Sequence, residues 1–358
     1  MENDNLGIKD LAKLADVSIG TVDRVLNNRS GVAPATREKV LQLIKDTGYK
    51  KNLMASRLKL AKNNIIKFAV LSPIPRNEHS YWNLPLQGIK RAIKELNIMG
   101  VSAKYFFFNQ LNHQTFREQI DIIFQEEFSA LITVPFFEYE SNTLLKKAKE
   151  KNIPIVFLDT ERELLFSSNF IRQNSINAGL VAGRLLHGVV GNEGTYVIVN
   201  ILNDRGKQIN NLQRESGFRD YFKSLPNNEK INHFTINHPL EDEFDLLPEL
   251  KKLAKQSKAL GIFVTNARSF LLPNILKENN INDYHLIGFD LNNKNIDLLK
   301  SGEIDFLISQ KPQYQGYAAV KGLYKFLTED DKSKLNIDIP VEIVVKENVN
   351  YYIQSETV

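Results

Sequence analysis

Between residues 65 and 310 short β-rich apolar runs alternate with amphipathic helical stretches, and this alternation narrows the possible folds more than any other feature. IIKFAVLSP (65–73), VSAKYFFF (101–108), SALITVPF (129–136) and IPIVFLDT (153–160) read as strands. The stretches 84–100, 115–128 and 142–152 read as the helices between them. Such a βαβα order predicts a doubly wound parallel sheet. The pattern then restarts. Helices are expected at 175–190, 214–225, 245–257, 269–280 and 295–303, and strands at 194–200, 230–237, 259–266, 284–290 and 304–310. Two consecutive units of this kind predict two lobes with a cleft between them. Ligands of open parallel sheets bind outside the carboxyl ends of the strands, so residues just after each strand should line that cleft. After Gln310 a helix (312–327) should return to the first lobe and 340–349 to the second, a crossing pattern that suits hinge closure.

The chemistry open to the chain is limited. It has no cysteine, so neither disulfides nor thiolate chemistry are available. No apolar run is long enough for a membrane span. MENDNLGIKD lacks the basic and apolar regions of a secretory signal, which points to the cytoplasm. No Walker loop, nucleophile elbow or metal-spaced histidine cluster appears, and the six histidines are scattered. Neither an enzyme nor a cofactor is expected. The net charge of +4 is unevenly spread: residues 1–62 hold 12 Lys/Arg against 7 Asp/Glu, and the remainder is close to neutral. A small basic module ahead of a neutral body suggests a polyanion partner for the module.

That module reads as three short helices. Ile8, Leu11, Ala12, Leu14 and Ala15 recur at helical spacing, and Asp16-Val17-Ser18 breaks the pattern. Ser18 suits an N-cap, and Thr21, Val22, Val25 and Leu26 follow at i+3, i+4 spacing. A third helix runs from about Pro34 to Thr47, with Val40, Leu43 and Ile44 as its buried stripe. Two helices joined by a tight turn, with a third across them, make a helix-turn-helix, whose second helix enters the major groove by its N-terminal residues. Those residues are Ser18, Ile19, Gly20, Thr21, Asp23 and Arg24.

IKDLAKLADVS, TVDRVLN and TREKVLQLIKDTGY together resemble the headpiece of the LacI family of bacterial transcription regulators, over about the first 60 residues. The resemblance implies that Ile19, Gly20 and Arg24 stand at base-reading positions. Arg24 would fork onto guanine and Ile19 would meet a thymine methyl. Ser18, Thr21, Asn27 and Thr36 would hold phosphates. Asp23 stands where the family usually has Ser; it would accept from cytosine N4, pair with Arg24, or be repelled by phosphate. NLMASRLKL (52–60) is similar to the family's hinge helix, in which Asn52 would contact DNA and Leu58 would wedge into the minor groove. Lys51 replaces the usual proline there, and Ala55-Ser56-Arg57 the usual Ala-Arg-Ser.

The body is similar to the type I periplasmic sugar-binding fold that this family uses as its sensor. GFRDYF with Arg214 ahead of it, LIGFD ending at Asp290, and ISQKPQYQGYAAVKGL carry the likeness. It implies effector contacts at Asp159, Arg214, Asn266, Asp290 and Gln310, a set of donors and acceptors suited to a polyol. Tyr81, Trp82 and Phe108 follow the first two strands and either stack on a sugar face or belong to the lobe core. Ala267 replaces the family's usual Asp after Asn266. The expected fold is therefore an all-α helix-turn-helix domain (1–50), a hinge (51–62) and a two-lobed α/β sensor (63–358). Lobe 1 would span about 63–160 and 311–330, and lobe 2 about 161–310 and 331–358. The implied function is a repressor that binds near-palindromic operator DNA as a homodimer under control of a sugar-like effector. The alternatives are a transporter's solute-binding protein, which the body alone allows, and a cleft glycosidase using Asp159 and Asp290.

Overall fold

The computed structural model describes residues 8–26, 30–47, 66–76, 80–160, 162–164, 168–202, 208–226, 231–239 and 247–357. The chain divides into two compact units.

The first unit holds α1 (Ile8–Ala15), α2 (Ile19–Leu26) and α3 (Pro34–Thr47). Leu11, Ala12, Ala15, Val22, Val25 and Val40 form its core, and Val17, Val32, Leu43 and Ile44 pack around them. Asp16 ends α1 by taking a left-handed φ of 54°, while Val17 N–H donates to Ala12 O at 3.0 Å. This αL closure satisfies the last carbonyls of the helix. Ser18 Oγ accepts from Thr21 N at 3.1 Å and so caps α2, as its position predicts. Leu14 departs from the expected stripe. It is 53% exposed, on the outer face of α1.

The second unit contains two six-stranded sheets. β1 (Ile66–Pro73), β2 (Val101–Phe108), β3 (Ala130–Thr133), β4 (Ile155–Asp159), β5 (Asn169–Gln173) and β11 (Ile337–Ile339) form one, in the order β11-β5-β4-β3-β1-β2. β6 (Thr195–Leu202), β7 (Asn232–Pro239), β8 (Leu260–Val264), β9 (Tyr284–Phe289), β10 (Phe306–Ser309) and β12 (Glu342–Val344) form the other, in the order β12-β10-β9-β8-β6-β7. The two orders correspond strand for strand, so β4 and β9 occupy equivalent places. The central strands β3, β6 and β8 are apolar and buried almost throughout because both faces are covered. Along β6, Val197 and Val199 join one core with Leu250 and Ile262. Tyr196 and Ile198 join the opposite core with Phe218 and Phe263.

Three expectations change. The expected division of the lobes near residues 160 and 330 is displaced, because β5 pairs with β4 and β11 pairs with β5, which brings 169–173 and 337–339 into the first lobe. These strands are three to five residues long and include Arg172 and Asp338, which pair on the surface; they are too short to show a period. The second sheet is not wholly parallel, because β12 runs antiparallel to β10. The helix expected from 214 begins at Ile209, so Arg214 lies in its second turn.

The chain crosses between lobes after Gln173, after Ser309 and after Ile339. Gln173 ties these crossings together. Its Nε2 donates to Ser309 O at 2.9 Å and to Pro340 O at 3.1 Å. Two glycine contacts fix the helices beside the crossings. Helix α7 (Ser175–Val190) packs on α8 (Ile209–Lys223), where a Cβ on Gly217 would meet Ile176 O at 2.0 Å. In the first lobe α4 (Asn83–Leu96) packs on α12 (Pro312–Glu329), where a Cβ on Gly316 would meet Pro85 O at 2.1 Å. Only a missing side chain allows backbones this close.

Candidate functional site

A cavity of about 550 Å³ opens between the lobes, at the carboxyl ends of the strands. Equivalent strands of the two sheets each deliver an aspartate to it. Asp159 ends β4 and Asp290 follows β9, and both are left-handed, with φ of 70° and 68°. Asp tolerates this region because its short polar side chain bonds locally. The turn aims both carboxylates into the cleft rather than along the sheet.

The second lobe presents a chain of polar contacts. Arg214, 4% exposed, donates from Nη1 to Thr265 O at 2.8 Å and from Nη2 to Gln310 Oε1. Gln310 Nε2 donates to both oxygens of Asp290, at 2.9 and 2.8 Å. The Gln310 amide thus bonds to both the cation and the anion. The Arg214 guanidinium lies 3.7 Å above the Phe289 ring. Burial lowers the Arg214 pKa, and the charges of Asp290 and Asp159 oppose that shift. Arg214 Nε and Asn210 Oδ1 are buried and find no partner among the described residues.

Asp159 carries the first lobe's share. Tyr81 Oη donates to Oδ1, and Thr160 Oγ1 donates to Oδ2 at 2.9 Å. Asn210 of the second lobe reaches across and donates to Oδ2 at 3.0 Å. Gln315 Oε1 accepts from Asp159 N at 3.0 Å, and Gln315 Nε2 donates to Gln310 O at 3.0 Å. Burial, then the nearby Asp159 and Asp290, push the Tyr81 phenol well above its ordinary value, so it stays a donor. Tyr81, Trp82 and Phe136 form an aromatic wall, with Trp82 edge-on to Tyr81 at 5.0 Å and to Phe136 at 6.1 Å.

Of the expected effector residues, Tyr81, Trp82, Asp159, Arg214, Asn266, Asp290 and Gln310 line this one cavity. Phe108 does not. It is fully buried, 4.7 Å from the Phe116 ring and 5.8 Å from that of Phe136, so the core reading holds. Asn266 lines the wall with both ends of its amide occupied. Nδ2 donates to Ile201 O at 2.8 Å and Oδ1 accepts from Arg268 N at 3.2 Å. Sequence reasoning missed Asn210, Phe136, Arg76 and Arg268. Phe136 follows a strand, and the strand-end rule should have found it. Asn210 lies in the first turn of a helix whose start was misplaced.

On the first unit, Ser18, Ile19, Gly20, Thr21, Asp23 and Arg24 sit at and within α2, with Ile19 46% exposed. Thr36 is half-buried on α3. The Ser18 hydroxyl is also 2.9 Å from Thr21 Oγ1. A Cβ on Gly20 would meet only Ser18 Oγ, at an ordinary 3.7 Å. Asn27, Asn52 and Leu58 lie outside the described residues. Among the described residues no acidic or histidine group is arranged to hold a metal, and no helix is long and apolar enough to cross a membrane.

Residues 7–52 match the model of bacterial regulatory proteins of the lacI family, and residues 69–331 match that of the periplasmic binding protein domain. The HTH-type transcriptional repressor PurR of Histophilus somni is 25% identical over 357 residues, 96% of this chain and 98% of that one. A structure assigned as a LacI transcriptional regulator from Bacteroides fragilis has a TM-score of 0.70 at 24% identity, over 81% of this chain and 100% of that one. GanP, a glucose-galactose binding protein from Geobacillus stearothermophilus, has a TM-score of 0.65 at 21% identity, over 80% and 99%. At these identities the two structures share the fold with this chain.

Proposed function

The chain belongs to the lacI family of bacterial regulators, with a periplasmic binding protein domain as its body, and we propose that it represses transcription by binding operator DNA under control of a sugar-like ligand in the inter-lobe cleft. The observation that carries the ligand half is the cavity itself. It brings Asp159, Arg214, Asp290 and Gln310 together beside an aromatic wall. Fixed donors and acceptors over a ring-stacking surface suit a polyol and reject ligands lacking its hydroxyls. The sugar-binding name of GanP, a protein of the same fold, supports this class of ligand.

The DNA half rests on α2, capped by Ser18 and presenting Ile19 and Arg24. A single module of this size reads one half-site, so the protein acts as a homodimer on a near-palindromic site. Ligand hydroxyls compete for Asp159 with Asn210, whose bond to it is one of the direct bonds between the lobes. Binding thus changes how the lobes are held together, and the crossings tied by Gln173 carry that change. This reading places the protein in the cytoplasm. A glycosidase is less well supported, since Asp290 is held by Gln310 and Asp159 by Tyr81, Thr160 and Asn210.

The test is a thermal-shift screen of the full chain against sugars, polyols and nucleobases. A ligand at a hundred times its Kd should stabilise by about 2.7 kcal/mol. Arg214→Lys and Asp290→Asn should each abolish the shift seen with a sugar. A shift that survives both substitutions, or one produced only by nucleobases, contradicts the sugar reading.

A further inference from the structure

Beneath α8 the second lobe buries polar groups at the end of an apolar strand. β6 reads YVIV up to Asn200, and Tyr196 and Ile198 on one of its faces join an aromatic core. Asn200 continues that face at the cleft end of the strand and is fully buried. Beside it lie Thr265, which follows β8 and is also fully buried, and Asn237, its register partner on β7. Burying an amide or a hydroxyl is costly unless it is hydrogen-bonded. Here these groups are joined in one series. Asn211 Nδ2 donates to Thr265 Oγ1 at 2.9 Å, and Thr265 Oγ1 donates to Asn200 Oδ1 at 2.7 Å. Asn200 Nδ2 donates to Glu215 Oε2 and to Asn237 Oδ1, each at 3.0 Å. Glu215 Oε1 accepts from Thr235 Oγ1 at 2.7 Å and from Arg219 at 3.2 Å.

The direction of the series is set at its far end. A carboxylate paired with an arginine only accepts, so Glu215 requires the amide nitrogen of Asn200. The Asn200 carbonyl then faces Thr265 and takes its single hydroxyl proton. Thr265 Oγ1 is left as an acceptor. It takes the amide nitrogen of Asn211, which turns the Asn211 carbonyl the other way. Asn211 lines the inter-lobe cavity just ahead of Arg214 on α8.

We propose that Glu215, acting through Asn200 and the Thr265 hydroxyl, positions Asn211 so that its carbonyl oxygen faces the cleft as an acceptor for a ligand hydroxyl. This rests on the sugar-cleft reading and adds a residue that selects among sugars. Arg214 only donates, and its Nη1 bond runs to the Thr265 carbonyl rather than to the hydroxyl. The acceptor beside it therefore comes from Asn211. A ligand that brings no donor to that point leaves a buried carbonyl unmatched, which is how the position discriminates.

The experiment is a titration of the full chain with D-glucose, D-galactose, D-ribose, D-arabinose and D-allose, followed by the fluorescence of Trp82, its only tryptophan. Thr265→Val keeps the side-chain shape and the backbone carbonyl and removes the hydroxyl, whereas Thr265→Ser keeps the hydroxyl. We expect Thr265→Val to raise the Kd of a sugar that binds by at least about tenfold, and Thr265→Ser to restore it to within about threefold of the wild type. Glu215→Gln, of nearly the same shape, no longer fixes the direction of the series and should raise that Kd severalfold. It decides the matter alone if Thr265→Val does not fold, and an unchanged Kd in Glu215→Gln then overturns the inference. Urea unfolding of each variant is measured alongside, because a merely structural role makes Kd follow stability and gives serine and valine the same loss. Equal weakening by both, or a wild-type Kd in Thr265→Val, overturns the inference while the sugar-cleft reading stands. If none of the sugars binds the wild type, the sugar-cleft reading fails and this inference fails with it.

Discussion

At the scale of single residues the site depends on groups that hold other groups. Asn295 shows this best. It is fully buried, and its Oδ1 accepts from Ser269 Oγ at 3.0 Å and Phe270 N at 2.9 Å. Its Nδ2 reaches Ala267 O, Phe289 O and Asp290 O, at 3.2, 2.9 and 3.0 Å. One amide thus fixes the turn after β8, which carries Ala267, and the left-handed turn that aims Asp290. Asn295→Ala leaves several of these groups unsatisfied and should destabilise the protein by about 1–3 kcal/mol in denaturant unfolding. Lys300→Ala, an exposed change on the same helix, should be neutral within about 0.5 kcal/mol. Equal effects would remove this role from Asn295. Asp290 and Gln310 were legible in the sequence because strand ends and family motifs coincide there, and Arg214, inside a helix, was legible from the motif alone. Asn295 was not, since a buried asparagine inside a helix carries no periodic signal. Phe108 was ambiguous for a related reason: an apolar residue at a strand end serves either wall or core, and only its packing decides.

At the scale of elements the glycine contacts set how closely helices approach the cleft. Gly217 lies one turn beyond Arg214 on α8, and a Cβ there would collide with the backbone of α7. Gly217→Ala should therefore push α8 outward, destabilise the protein and weaken sugar binding together. Gly188→Ala, on the exposed part of α7 with nothing within 4 Å of its Cβ, should instead stabilise by roughly 0.5–1 kcal/mol. Calorimetric melting of both variants checks the pair, and stabilisation of both would contradict the packing argument. Most strands were visible in the sequence, because strands buried on both faces read as continuous apolar runs. β11 and β12 were hidden by their length and β5 by its polar residues Asn169, Arg172 and Gln173, and with β5 and β11 the true change of lobe was hidden. The start of α8 was displaced for a different reason: it opens on INNLQ, where Ile209 and Leu212 stand among polar residues and Leu212 is exposed, so no buried stripe marks its first turn.

At the scale of the whole molecule the chain joins a basic three-helix unit to a near-neutral two-lobed body, a split already visible in how charge is distributed along the sequence. Control of transcription by a cleft ligand requires that the two parts be energetically coupled. Coupling of this kind is reciprocal: whatever factor the ligand applies to DNA affinity, DNA must apply to ligand affinity. The decisive measurement is made on the full chain with the sugar found by the cleft screen and a duplex selected from a random-sequence pool. Its reading is ligand Kd with and without saturating duplex. A change of about 5- to 150-fold is expected, equal to the factor by which the sugar alters duplex affinity. A ligand Kd unmoved by a duplex that the same chain binds specifically would contradict ligand control of DNA binding.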